Sequence, residues 1–129
     1  MLKNLSVKAC TQDLFFRIGL SSFFLINSLT AWFAPSEFLG LLGANQLASA
    51  IADPQFWVYV IGINDSLLFL LIILGYWRKT IAVWAGLWVI AVMYVTRLEG
   101  MMEFIEHIGV LSFILFYYFS SKQTPKTSQ

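Results

Sequence analysis

Four carboxyl groups and one imidazole lie where an apolar chain should have none. "RLEGMMEFIEHIG", Arg97 to Gly109, carries Arg97, Glu99, Glu103, Glu106 and His107, the single histidine of the chain. The uncharged run "VLSFILFYYF" follows at once. At about 100° per residue, Glu99, Glu103 and Glu106 fall within about 60° of one another on a helix, with His107 at the edge of that face. Such a stripe has three uses. It can take up protons from water at a membrane boundary. It can form an ion-paired cap with Arg97, the nearest cation. Its Glu-x-x-Glu-His spacing also supplies metal-ligand types. Helical carboxylate–histidine metal motifs come in pairs on two helices, however, and there is no second histidine, so no metal site is assigned.

The second constellation is "NDS", Asn64 to Ser66, in the middle of "PQFWVYVIGINDSLLFLLIILGYW". At 1.5 Å per residue, Asp65 is roughly 16 Å from either end of that run, too deep to reach headgroups. An aspartate there is a candidate functional residue: protonated, paired or lining water. Arg17, about one turn into the first apolar block, is its first candidate partner. The alternatives are that Arg17 pairs with Asp13 and snorkels to the headgroups, and that a neutral Asp65 bonds to Asn64 or Ser66. Asn27 and Ser28, in the outer half of the first block, suit hydrogen bonds between helices.

These residues need helices to position them, and the composition says in what medium. Of 129 residues, 59% are hydrophobic and 12% charged, with twelve Phe, five Trp and five Tyr. A soluble domain of this size could not hide that surface, whereas a bilayer receives it. The expected fold is all-α: a polytopic membrane protein, a four-transmembrane-helix antiparallel bundle with a short interfacial helix between the first and second spans. Apolar blocks of about 20 residues cross a hydrocarbon core. The spans fall at about 13–33, 54–77, 80–96 and 101–119, in one domain over 1–120. The tail 121–129 is polar and expected to be disordered.

Between the first two spans, "APSEFLGLLGANQLASAIAD" is too polar to cross. The spacing of Phe38, Leu41 and Leu42 predicts the interfacial helix. Asp53 and Pro54 then form an N-cap and first helical position for the second span. A cleaved leader fits the first block poorly, since it is long, contains Arg17 and Asn27 and lacks a small-residue cleavage motif. Gly19, Gly62, Gly75, Gly86 and Gly109 are read as close-packing points between helices.

Lys3, Lys8, Arg78, Lys79, Lys122 and Lys126 fall on one side of this arrangement and Arg97 on the other. That places both termini in the cytoplasm and the chain in the cell's inner or plasma membrane. Trp32, Phe33, Phe56 and Trp57 mark the outer boundary, and Tyr76, Trp77, Tyr117 and Tyr118 the inner one. Cys10 stands alone, which leaves no disulfide or Cys-x-x-Cys redox pair within the chain. There is no phosphate-binding or dinucleotide-binding glycine motif and no Ser/His/Asp constellation, so no catalytic residue is assigned. A net charge of +1 gives no ground for a nucleic-acid partner.

The sequence resembles the DoxX-like membrane proteins. The likeness rests on "FFRIGLSSFFLINSL", "APSEFLGLLG", "INDSLLFLLIILGYWRKTIAV" and "EFIEHIGVLSFILFYYF". It implies a four-helix membrane bundle associated with membrane redox systems, including quinone-linked oxidation of sulfur compounds. It implies that Arg17 matches the family's first-span arginine. Asp65 stands where a glutamate is common, and Glu103 or Glu106 matches the acid that opens the last span. The lack of paired cysteines departs from direct thiol chemistry.

The function expected is therefore a subunit or accessory protein of a membrane redox system. Its polar interior would bind a quinone-like or other small molecule, with Asp65, Glu103, Glu106 and His107 handling protons. A membrane or soluble oxidoreductase is the expected partner, besides lipid and further copies of the chain. Two other classes fit the same residues: a small proton-coupled carrier or channel, and a structural or assembly protein whose charges only lock helices.

Overall fold

The computed structural model describes residues 2–97 and 101–120; the side chains of 2–9, 101 and 103 lie outside that description. Every described element is helical. The chain divides into two compact units, residues 1–75 and 76–129.

The first unit holds α1 (Leu2–Phe33), α2 (Ser36–Ala44), α3 (Gln46–Ile51) and α4 (Pro54–Leu74). α1 is longer than the span at 13–33 expected from hydropathy. No glycine or proline interrupts the polar residues before Asp13, so the helix continues through them; the apolar span proper is Cys10–Phe33. It ends ahead of Pro35, which disfavours helical backbone in the residue before it.

The single interfacial helix expected from the sequence is two. Asn45 leaves the helical region (φ −84°, ψ 110°), ends α2 and caps α3, its Oδ1 accepting the Ala48 N–H at 3.0 Å. Asp53 caps α4 as its sequence suggested, accepting the Gln55 N–H at 2.8 Å ahead of Pro54. The Trp57 indole donates to the Ala48 carbonyl at 2.9 Å and ties α4 to α3.

α4 stops at Leu74, three residues short of the expected span. Gly75 takes a left-handed conformation (φ 74°), and its N–H reaches the Leu71 and Ile72 carbonyls. That closes the helix in the manner of a glycine C-cap.

α1 and α4 run antiparallel, as three levels of contact establish. Arg17 meets Ile73, Ser28 meets Gly62 and Ser66, and Trp32 meets Tyr59 and Gly62. Phe24 and Leu68, both fully buried, fall opposite each other on this register.

The second unit is an antiparallel pair, α5 (Arg78–Thr96) and α6 (Met101–Ser120). Ile114 and Leu111 of α6 pack beside Gly86, where a β-carbon would meet them in ordinary contact at 3.7 and 3.9 Å. At the N-terminal end of α5, the Arg78 guanidinium lies 5.6 Å from the Tyr117 ring centroid. Tyr117 is fully buried and so is no part of an interfacial belt, contrary to expectation. Tyr76 and Trp77 are exposed as a belt requires.

Three helices, Cys10–Phe33, Pro54–Leu74 and Arg78–Thr96, are long and apolar enough to cross a membrane; Phe104–Ser120 is a shorter apolar helix. Of the five glycines expected at close approaches, Gly19 and Gly109 face open space, and only Gly62 and Gly75 are crowded.

Candidate functional site: a polar layer between α1 and α4

Two groups of polar contacts hold α1 to α4. The first is at the C-terminal end of α4. Arg17 Nη1 donates to the Ile73 carbonyl at 2.7 Å, while Nε pairs with Asp13 Oδ2 at 3.1 Å. Ile73 is in the last turn of α4, where carbonyls lack helical partners and the helix dipole is negative. The guanidinium therefore caps a neighbouring helix. Gly75 makes this approach feasible: a β-carbon there would lie 2.6 Å from Arg17 Nη1.

The expected pair between Arg17 and Asp65 does not form. On the antiparallel register Arg17 comes level with Ile73, eight residues and about 12 Å along α4 from Asp65. Its donors go to Asp13 and the helix end.

The second group lies at mid-span. Ser66 Oγ donates to the Gly62 carbonyl of its own helix at 2.6 Å. Ser28 Oγ lies 2.6 Å from Ser66 Oγ and 3.4 Å from the Gly62 carbonyl. The Trp32 indole N–H points at Ser66 Oγ from 3.4 Å. With its own proton committed to Gly62, Ser66 has two lone pairs, one for the Ser28 hydroxyl and one for the Trp32 indole. Trp32 fits because residue 62 is glycine: a β-carbon there would stand 2.8 Å from Cε2 of the indole.

Asp65 belongs to this second group by position, 1% exposed. Its Oδ1 accepts from Asn64 Nδ2 at 3.0 Å, as one of the sequence alternatives held. The register places Asn27, half-buried on α1, at the same level. So Asn27, Asn64 and Asp65 share one polar layer with Ser28 and Ser66. Trp32 belongs to the layer too. The sequence marked it only as a boundary aromatic; its spacing of four from Ser28 is the signal that could have placed it here. Its ring is tilted 45° to that of Tyr59 at 6.2 Å, and both rings are half exposed, at 44% and 52%.

The remaining candidates belong to the second unit. Glu106 is exposed and His107 half-buried on α6. Glu99 and the Glu103 side chain lie outside the described residues. Arg97 is exposed, its guanidinium 4.0 Å from the centroid of the Tyr94 ring, one turn back on α5. Cys10 is exposed.

Long apolar helices carrying a buried aspartate and a helix-capping arginine define an all-helical integral membrane protein. The chain belongs to the DoxX family, whose model matches residues 12–98, more than half its length. No curated protein and no solved structure matches it. The matched region contains Arg17, Asn27, Asn64, Asp65 and Arg97. It stops before Glu103, Glu106 and His107, so the acidic opening of α6 is outside it.

Proposed function

We propose that this DoxX-family protein is a membrane subunit or accessory protein of a redox system, and that the polar layer of α1 and α4 receives a quinone-like small molecule. The observation that carries this reading is Asp65, buried at mid-span in a polar layer, its Oδ1 accepting from the Asn64 amide. An acid at that depth is a default functional candidate, able to take up or release a proton within the layer. The residues around it suit a quinone head. The indole of Trp32 and the ring of Tyr59 offer flat surfaces, and the Trp32 N–H makes a long bond that a carbonyl acceptor can replace. Ser28, Ser66 and Asn64 supply further polar groups at the same level.

A bound quinone supplies a two-electron, two-proton acceptor. In this reading Asp65 moves the proton, Trp32 orients the ring, and the electrons come from a partner oxidoreductase. The chain itself brings one isolated cysteine and no Cys-x-x-Cys pair. The protein lies in the inner or plasma membrane with both termini in the cytoplasm, in keeping with its lysines and arginines.

Titration of the purified full-length protein with a short-chain quinone tests the proposal through quenching of tryptophan fluorescence. Saturable quenching is expected in the wild type. It should lose one component in Trp32→Phe and weaken severalfold in Asp65→Asn, the latter with helical content and thermal stability kept. Absence of saturable quenching, or quenching unchanged in both variants, sinks the quinone reading. Loss of stability without any ligand effect in Asp65→Asn would favour a purely structural layer. Proton-driven flux in liposomes that disappears with Asp65→Asn would favour a carrier.

A further inference from the structure

The second unit carries an open groove of about 620 Å³, lined by Lys79, Thr80, Val83, Trp84, Leu87 and Tyr118. We infer that this groove holds one anionic phospholipid, with the phosphate on Lys79 and an acyl chain along Val83 and Leu87.

Position along α5 supports this. Lys79 lies in its first turn, beside exposed Tyr76 and Trp77, the aromatic pair that marks headgroup level. Val83 and Leu87 lie four and eight residues further, about 6 and 12 Å deeper. Both are exposed, at 53% and 64%. The polar end of the groove is thus at the headgroups and its apolar end among the acyl chains, which is the polarity of a phospholipid.

Charge supports it as well. Arg78 and Lys79 occupy the N-terminal turn of α5, where the helix dipole disfavours cations. No side chain caps that turn. Arg78 is half-buried over the Tyr117 ring. Lys79 is exposed and lines the groove, and among the described residues it meets no carboxylate. An anion on Lys79 offsets both the dipole and the lysine charge. A neutral lipid offers no net charge to do so, and the exposed apolar floor does not suit a free phosphate. Thr80, one residue on, presents a hydroxyl at the same level.

The test is native mass spectrometry of the full chain, released from nanodiscs holding equal amounts of phosphatidylglycerol and phosphatidylcholine. The wild type is expected to retain phosphatidylglycerol over phosphatidylcholine about fivefold, the equivalent of about 1 kcal/mol for one lysine near an anionic surface. Lys79→Gln should bring the ratio close to parity. Leu87→Trp, which fills the groove from an exposed position, should remove the retained lipid while circular dichroism stays unchanged. Lys126→Gln, a tail cation on the same side by sequence, should keep the wild-type ratio. Equal retention of the two lipids by the wild type overturns the inference. So does a preference that survives both groove variants, or one that falls equally with Lys126→Gln. A dimer that becomes monomeric with Leu87→Trp also overturns it and gives the groove to a second copy of the chain.

Discussion

Gly75→Ala should be among the most damaging single-methyl additions in the chain, and its cost should depend on a residue 58 positions away. Two effects combine. Gly75 has φ 74°, and a left-handed backbone costs a residue with a β-carbon about 1–2 kcal/mol. The added carbon would also stand 2.6 Å from Arg17 Nη1 and 3.2 Å from its Cζ. The guanidinium must then leave the Ile73 carbonyl. A hydrogen bond to a charged group contributes about 1.5–3 kcal/mol. The pair with Asp13 adds little, since both side chains are partly exposed. The expected total is about 2.5–5 kcal/mol, the sum of those two terms.

A double-mutant cycle separates them. With Arg17→Ala already in place there is no guanidinium to displace, so Gly75→Ala should cost only its backbone term, about 1–2 kcal/mol. The coupling energy should therefore be about 1.5–3 kcal/mol. Reversible unfolding of the purified protein in mixed micelles, followed by circular dichroism, measures all four corners of the cycle. Independent sites add within about 0.5 kcal/mol, and if these two add that closely, Arg17 does not cap α4 through the space Gly75 leaves.

Two further substitutions test the first unit by the same assay. Gly62→Ala puts a methyl 2.8 Å from the Trp32 ring and should cost about 1–3 kcal/mol as overpacking, most of it recovered when Trp32→Leu is added. Asn45→Ala removes the acceptor for the Ala48 N–H and should destabilise by about 0.5–2 kcal/mol; an effect near zero would mean that α3 needs no cap.

What the sequence made legible follows from the range of the forces involved. The spans were legible because a bilayer reads hydropathy over about 20 residues, and "QFWVYVIGIN" or "VWAGLWVIAV" needs no tertiary information to be recognised. Asp53–Pro54 was legible because an N-cap is a local bond. The break at Asn45 is also local, but Asn is common within polar segments, and only its extended backbone distinguishes a cap from a helical position. Arg17 was legible as a polar residue that needs a partner. Its partner was not, because choosing between Asp65 and the end of α4 requires the α1–α4 register. Tyr117 looks like a boundary aromatic in one dimension, yet its position opposite Arg78 buries it.

The register also separates residues that hold the helices from those able to do chemistry. In lipid, apolar side chains gain nothing by leaving the hydrocarbon for one another, so packing and interhelical hydrogen bonds must fix how two helices align. α1 and α4 use two such anchors: Arg17 on Ile73 toward one end, and Ser28 with Trp32 on Ser66 and Gly62 near the middle. They are about 10 Å apart along α4, seven residues from Ser66 to Ile73 at the helical rise. A slip by one residue would break both. Asp65 lies within the mid-span anchor, next to Ser66, and its Oδ1 accepts from Asn64 on its own helix. Ser66→Ala should therefore weaken the helix pair, whereas Asp65→Asn should leave the register intact and alter only what the layer can bind or protonate. The proposed role therefore rests on the layer at Asp65 rather than on the arginine that caps α4, and an Asp65→Asn protein that keeps both its register and its wild-type ligand affinity would refute it.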